Sequence, residues 1–169
     1  MGRARTPTND GALVSGRATR TLGRDDVGFL LAKAMHRWNE LLAERFAAAG
    51  YGDIRPSYGS VLLPLFEEDG LRMGELAERA NLSKQAMTEM VRRLERDGLV
   101  ERRTDPHDAR AALVFLTDRS RSFEPVAERV LRDLDRLVRR RLPDERVDDL
   151  KDDLRELQEL GAESYPRKR

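Results

Sequence analysis

Apolar residues recur at steps of three and four along the first recognisable element: Val27, Leu30, Leu31, Ala34, Met35, Trp38, Leu41, Leu42, Phe46 and Ala49. That period gathers them on one face of a long helix from about residue 25 to Gly50 and Gly52, which end it. A second helix is expected after Pro56, with Ser57 as its N-cap and Tyr58, Val61, Leu62, Leu65 and Phe66 as its apolar side. Gly70 closes it. Pro64 lies inside it and predicts a kink, because proline removes an amide donor and crowds the carbonyl four residues back. Two short helices, about 73–80 and 83–97, are joined by Asn81-Leu82. Residues 99–103 and 112–116 read as two strands, and the Asp- and Pro-containing connection 104–110 suits a hairpin with an extended tip. A long helix of about 119–141 follows, with Phe123, Val126, Ala127, Val130, Leu131, Leu134, Leu137 and Val138 as its stripe. After Pro143 a last helix, about 144–160, carries Val147, Leu150, Leu154 and Leu157 at the seam spacing of paired helices.

The stretch from Leu71 to Thr117 carries the chemistry. Two short helices crossing at a wide angle need a small residue in the first, a turn residue that tolerates left-handed geometry, and an apolar inner face on the second. Ala77, Asn81 and the set Met87, Met90, Val91, Leu94 meet those needs, and Ser83 can cap the second helix. The opposite face holds Gln85, Thr88, Glu89, Arg92 and Arg96. Glutamine pairs with adenine, arginine with guanine, and a threonine methyl meets the thymine methyl, so this face fits the major groove of DNA. The hairpin that follows places Arg102 and Arg103 at its root and Arg110 near its tip, where an arginine can enter the narrow minor groove. The expected DNA-binding set is therefore Ser83, Lys84, Gln85, Thr88, Glu89, Arg92 and Arg96 from the helix. Arg102, Arg103, Asp108 and Arg110 join it from the wing, with the Asp108 carboxylate holding the Arg110 guanidinium.

This segment resembles the multiple-antibiotic-resistance regulator (MarR) family. The resemblance rests on Gly74-Glu75-Leu76-Ala77-Glu78-Arg79-Ala80, Leu82-Ser83-Lys84-Gln85-Ala86-Met87, Leu94-Glu95-Arg96-Asp97-Gly98-Leu99-Val100-Glu101-Arg102, Asp105-Pro106-His107-Asp108-Ala109-Arg110 and Leu116-Thr117. The flanking helices fit in number, order and length, so it covers about 25–162. It implies a triangular homodimer whose first and last helices interlock, binding to an imperfect palindrome of double-stranded DNA, and release by a small ligand. In such proteins the ligand pocket lies where the dimerisation helices meet the winged domain. Here His36, Trp38, Tyr58 and Phe66 would approach it, suiting a small aromatic or phenolic molecule. Three positions depart from the family pattern: Ala109 replaces a frequent second wing arginine, Arg72 stands where a Ser or Thr cap is common, and Pro64 is unusual in its helix.

The fold class expected is mainly α with a small β-hairpin. A basic arm (1–24) precedes an N-terminal dimerisation helix (25–55), a winged helix-turn-helix domain (56–118, recognition helix about 83–97, wing about 99–117), C-terminal dimerisation helices (119–162) and a tail (163–169). Charged residues form 37% of the chain, yet the net charge is +1, so any basic surface must arise from local placement. The absence of cysteine excludes disulfides, thiolate zinc sites and thiol redox control. No apolar run approaches the roughly 20 residues of a membrane span, and no secretory signal is evident, so a cytoplasmic protein without membrane attachment is expected. His36 and Glu40 lie four apart but make too few ligands for a metal, and the run Asp148, Asp149, Asp152, Asp153 reads as a solvated helix face. No nucleophile–base pair or phosphate loop stands out, so neither an enzyme nor a cofactor is expected. A repressor released by an aromatic ligand is the expected function. The alternative is a helical interaction protein whose winged domain binds another protein.

Overall fold

The computed structural model describes residues 23–160. The expected C-terminal tail, and the basic arm except its last two residues, lie outside them. The elements run α1 (Val27–Ala48), a 3-10 turn (Pro56–Tyr58), α2 (Gly59–Glu67), β1 (Leu71–Arg72), α3 (Met73–Arg79), α4 (Lys84–Arg96), β2 (Val100–Asp105), β3 (Asp108–Leu116), α5 (Asp118–Arg139) and α6 (Asp144–Gln158). The protein is mainly helical, with one small antiparallel sheet in the order β1-β3-β2.

The chain divides into two units, one ending at His36 and the other starting at Arg37. In the first, the Asp26 carboxylate accepts from the amides of Gly28 and Phe29 (2.9 and 3.3 Å) and so caps α1. Val27, Phe29, Leu30, Leu31 and Met35 are all exposed there. In the second, one core joins Leu42 and Phe46 of α1 to Val61, Leu62 and Leu65 of α2. It continues through Leu76 and Ala77 of α3, Met87, Val91 and Leu94 of α4, and Phe123, Ala127, Val130 and Leu134 of α5. The Phe123 ring meets Phe46 edge-on at 4.9 Å and Tyr51 at 5.1 Å, fastening α5 to the end of α1. Along α6 only Val147 is buried, and Leu150, Leu154 and Leu157 remain about two-fifths exposed.

Three expectations change. Ser57 does not cap α2: Arg55, with extended backbone, precedes the 3-10 turn, and the Ser57 carbonyl accepts from the Ser60 hydroxyl at 3.0 Å. Proline at the first position of that turn starts the element without a side-chain cap. As expected, α2 holds Pro64 inside a single helix. The hairpin arms are longer than 99–103 and 112–116, leaving only Pro106 and His107 between them, and a third strand of two residues, β1, pairs Leu71 with Val114 and Arg72 with Leu113. So short a strand has too little alternation to be read from sequence.

Among the described residues no helix is long and apolar enough to cross a membrane.

Candidate nucleic-acid interface

Helix α3 turns into α4 through Asn81, whose φ of 51° is left-handed, as its side chain tolerates. The Leu82 amide then bonds the Ala77 carbonyl at 2.9 Å, and Ala77 itself is buried where the helices approach. The Ser83 hydroxyl accepts from the Ala86 amide at 3.1 Å and caps α4. At the other end Gly98 adopts φ 68°, and the amides of Gly98 and Leu99 bond the carbonyls of Glu95 and Leu94. That double bond with a left-handed glycine is a Schellman stop, and the buried pair Leu94 and Leu99 completes its apolar contact. Helix α4 is thus fixed at both ends and along its fully buried ridge of Met87, Val91 and Leu94.

Its outer face carries Lys84, Gln85, Arg92 and Arg96, all exposed, and among the described residues none of these four side chains has a hydrogen bond or ion pair. Thr88 is half-buried and donates its hydroxyl hydrogen to the Lys84 carbonyl at 2.7 Å, so it offers a methyl and oxygen lone pairs outward. Glu89 is paired with Arg93 one turn on, at 3.2 Å. The two wing-root arginines are engaged within the fold. Arg102 binds the Glu95 carboxylate through Nε and Nη2 (3.2 and 2.8 Å), and Arg103 pairs with Glu101 while its guanidinium lies 4.6 Å from the Phe115 ring centre.

The wing tip is organised by Asp105, a turn residue in the sequence whose long-range partner the sequence does not reveal. β2 and β3 pair regularly from Val100–Leu116 to Thr104–Ala112, and then Asp105 opposes Asp108. Residues 109–111 therefore bulge on β3, and Arg110 sits in that bulge. Asp105 is 4% exposed. Its carboxylate accepts from the His107 amide at 2.8 Å and from Arg72 Nε at 2.8 Å. The His107 amide, then the Arg72 guanidinium, hold its carboxyl below the usual range against the opposing effect of burial. Arg72 thereby links the N-cap of α3 to the wing turn, and the Glu75 carboxylate accepts from its amide at 2.8 Å. The Asp-Pro pair accounts for the turn itself, because aspartate bonds the backbone two residues on, but the contact with Arg72 has no local signal. The expected Asp108–Arg110 ion pair is not formed. Asp108 accepts instead from the Arg110 backbone amide at 3.0 Å, which leaves that guanidinium unpaired among the described residues.

The four residues expected around a ligand have different surroundings. His36 is exposed in the N-terminal unit. Trp38 lines a groove of about 620 Å3 with Leu131, Arg132, Asp135, Arg136 and Lys151. Phe66 is half-buried against the core. Tyr58 is 1% exposed, and its hydroxyl donates to Asp97 at the end of α4 at 2.5 Å. Burial, and then that carboxylate, push the Tyr58 phenol above its ordinary value.

Comparison with known proteins follows the same lines. Residues 55–112 match the family model described as the MarR family. The chain is 35% identical over 109 residues to the HTH-type transcriptional regulator TtmR of Methylorubrum extorquens (strain PA1), covering 60% of this chain and 54% of that one. The chain spans about half the length of the curated relatives it matches. Among solved structures it is similar to the transcriptional repressor CouR bound to a 23-mer DNA duplex, with 27% identity, TM-score 0.67, and coverage of 81% of this chain and 96% of that one. The PcaV transcriptional regulator from Streptomyces coelicolor shares the fold at 21% identity, with a TM-score of 0.71 over 83% of this chain and 98% of that one.

Proposed function

We propose that the chain, whose residues 55–112 match the MarR-family model, is a dimeric repressor that reads an imperfect DNA palindrome with α4 and the wing. The observation that carries this reading is the contrast on the α4–wing surface. Lys84, Arg92, Arg96 and Arg110 are unpaired cations there, while the neighbouring Arg93, Arg102 and Arg103 are each matched to a carboxylate. Free cations meet phosphates and base edges without first breaking an ion pair. Gln85, Thr88 and Arg92 face the major groove in this reading, and Arg110 enters the minor groove. Fluorescence anisotropy on DNA upstream of the chain's own gene tests it. Arg92→Ala should cost about 1–3 kcal/mol and relax preference at one position. Arg110→Ala should weaken binding and lower the salt slope by about 0.9. Unchanged affinity of Arg110→Ala at every salt concentration contradicts the wing assignment.

The dimer is supported by unpartnered apolar side chains in both units: Val27, Leu30, Leu31 and Met35 on α1, and Leu150, Leu154 and Leu157 on α6. Burying them against a second copy sets two recognition helices about 34 Å apart, one turn of DNA. Sedimentation that shows a stable monomer at micromolar concentration rejects the dimer.

Release by a small aromatic molecule is supported by the Trp38 groove, whose apolar floor of Trp38 and Leu131 is rimmed by Arg132, Arg136, Lys151 and Asp135, charges that are already paired with carboxylates or with each other. A ligand preferring the DNA-incompetent dimer by about 2.7 kcal/mol weakens DNA binding 100-fold. Trp38 is the single tryptophan, so its fluorescence reports directly on aromatic carboxylates added to the protein. A spectrum unmoved across such a panel removes this ligand site and leaves the DNA reading intact.

A further inference from the structure

Beside the recognition helix lies a small cleft of about 250 Å3, lined by Arg55, Tyr58, Glu89, Arg93, Arg96 and Asp97. Three guanidiniums there face two carboxylates, and both carboxylates are occupied: Glu89 by Arg93, and Asp97 by the Tyr58 hydroxyl. Arg55 and Arg96 are exposed, and among the described residues neither side chain has a partner. Arg96 ends the outer face of α4. Arg55 comes from a different element, the segment just ahead of α2, and nothing in the sequence pattern associated it with DNA.

Arg55 is also held in place. Ile54 before it is buried, and Pro56 after it fixes the backbone. Its carbonyl accepts from the amide of the buried Tyr58 at 2.9 Å, and that residue's hydroxyl is fastened to the C-cap of α4. On the other side Asp53 pairs with Arg119, whose Nη1 donates to the Asp97 carbonyl at 2.7 Å. Two separate ties therefore bind the 53–58 segment to the end of the recognition helix, with Arg55 between them. A cation pre-placed in this way loses little backbone freedom on binding a phosphate.

We propose that Arg55, with Arg96, grips a backbone phosphate of the DNA that α4 reads, so that the interface extends from the helix-turn-helix to the segment ahead of α2. This rests on the DNA-binding reading above. Arg55 fixes register on the duplex and carries no sequence information, as a phosphate contact does.

The test is operator binding by Arg55→Ala between 50 and 200 mM salt, beside wild type and Arg110→Ala. Losing one phosphate contact lowers the salt slope by about 0.9, so the affinity difference across that fourfold range shrinks about 3.5-fold. Sequence preference and thermal stability should be unchanged, because the Arg55 side chain makes no bond within the fold. Replacing operator phosphates singly by neutral methylphosphonates should reveal a position that weakens wild type more than Arg55→Ala, in which only Arg96 still reaches that phosphate. Arg55→Ala binding with wild-type affinity and slope, while Arg110→Ala is impaired, overturns the Arg55 contact and spares the DNA reading. Wild-type protein that binds no duplex overturns both. Inorganic phosphate that protects wild type and not Arg55→Ala against heating, with equal DNA binding by the two, makes the cleft a small-anion site and overturns the proposal.

Discussion

Replacing Tyr58 by phenylalanine removes one oxygen and isolates the tie between α2 and the end of the recognition helix. The ring is 1% exposed and keeps its packing, so no cavity larger than a hydroxyl is created. What is lost is a 2.5 Å hydrogen bond from a neutral donor to the Asp97 carboxylate. Such bonds contribute about 1.5–3 kcal/mol when the acceptor is charged. Asp97 is only half-buried, so water recovers part of that when the phenol is gone, and a net loss of about 1–1.5 kcal/mol follows. At this chain length each kcal/mol moves Tm by about 2–4 °C, so Tyr58→Phe should melt some 2–6 °C lower at matched protein concentration. The same bond has an alkaline signature. Burial and Asp97 raise the phenol's pKa above its ordinary value of 10.0, so the folded state favours the neutral form. Its contribution is complete below that value and is lost as pH rises through the higher folded pKa. Phenolate absorbance should show one tyrosine titrating late in the wild type, and that step should be missing from Tyr58→Phe. Equal melting temperatures, together with no late-titrating phenol in the wild type, would refute the reasoning.

Gly70 has φ 79°, and a β-carbon there would stand 2.6 Å from the Phe115 ring, so Gly70→Ala should cost at least about 1–2 kcal/mol from backbone geometry alone and loosen the wing; urea midpoints measure it. Ser83→Ala removes the oxygen that accepts from the Ala86 amide and should lower stability by about 1 kcal/mol without changing the dimer, read by the same denaturation. Asp105 titrates below the ordinary carboxylate value of 3.8, so its stabilising effect is present above that value and is lost as pH falls through the lower folded pKa. Asp105→Asn should flatten the acid limb of the stability curve below about pH 4, and an unchanged acid limb would contradict that role for Asp105.

What could be read in the sequence was whatever local chemistry alone decides. The apolar ridge of α4, the Ser83 cap, the left-handed Asn81 and the order of elements all follow from spacing and residue type over a few positions. What could not be read depends on partners distant in sequence. β1 exists because Leu71 and Arg72 lie beside Val114 and Leu113, more than forty residues on. Asp105 is buried because Arg72 reaches it from the cap of α3. Arg55 joins the edge of α4 only because Tyr58 and Asp53 fasten its segment there. The Asp108–Arg110 expectation failed for a related reason. Two residues apart at a wing bulge, the shorter reach is to the backbone amide, and the amide is where Asp108 bonds.

The same distinction explains why a net charge of +1 is compatible with a DNA-binding surface. Much of the charge on this chain is matched locally: α5 pairs Arg132 with Glu128, Arg136 with Asp133 and Arg139 with Asp135, and Arg139 and Lys151 bridge α5 to α6 through Asp144, Asp148 and Asp135. Exposed pairs of this kind add little stability, but they neutralise field at short range. Among the described residues, unmatched cations also remain on the other elements, including Lys33 on α1, Arg129 on α5, Arg140 and Arg141 after it and Arg146 on α6, so what distinguishes the α4–wing surface is that several of them gather on one helix face and its adjoining wing. Lys84, Arg92, Arg96 and Arg110 lie on the α4–wing surface, and Arg55 on its flank. A polyanion about a Debye length away, roughly 10 Å at 0.1 M salt, responds to that patch and not to the total. Total charge therefore says nothing about such a patch, which depends on which cations have carboxylates beside them and on where the others gather.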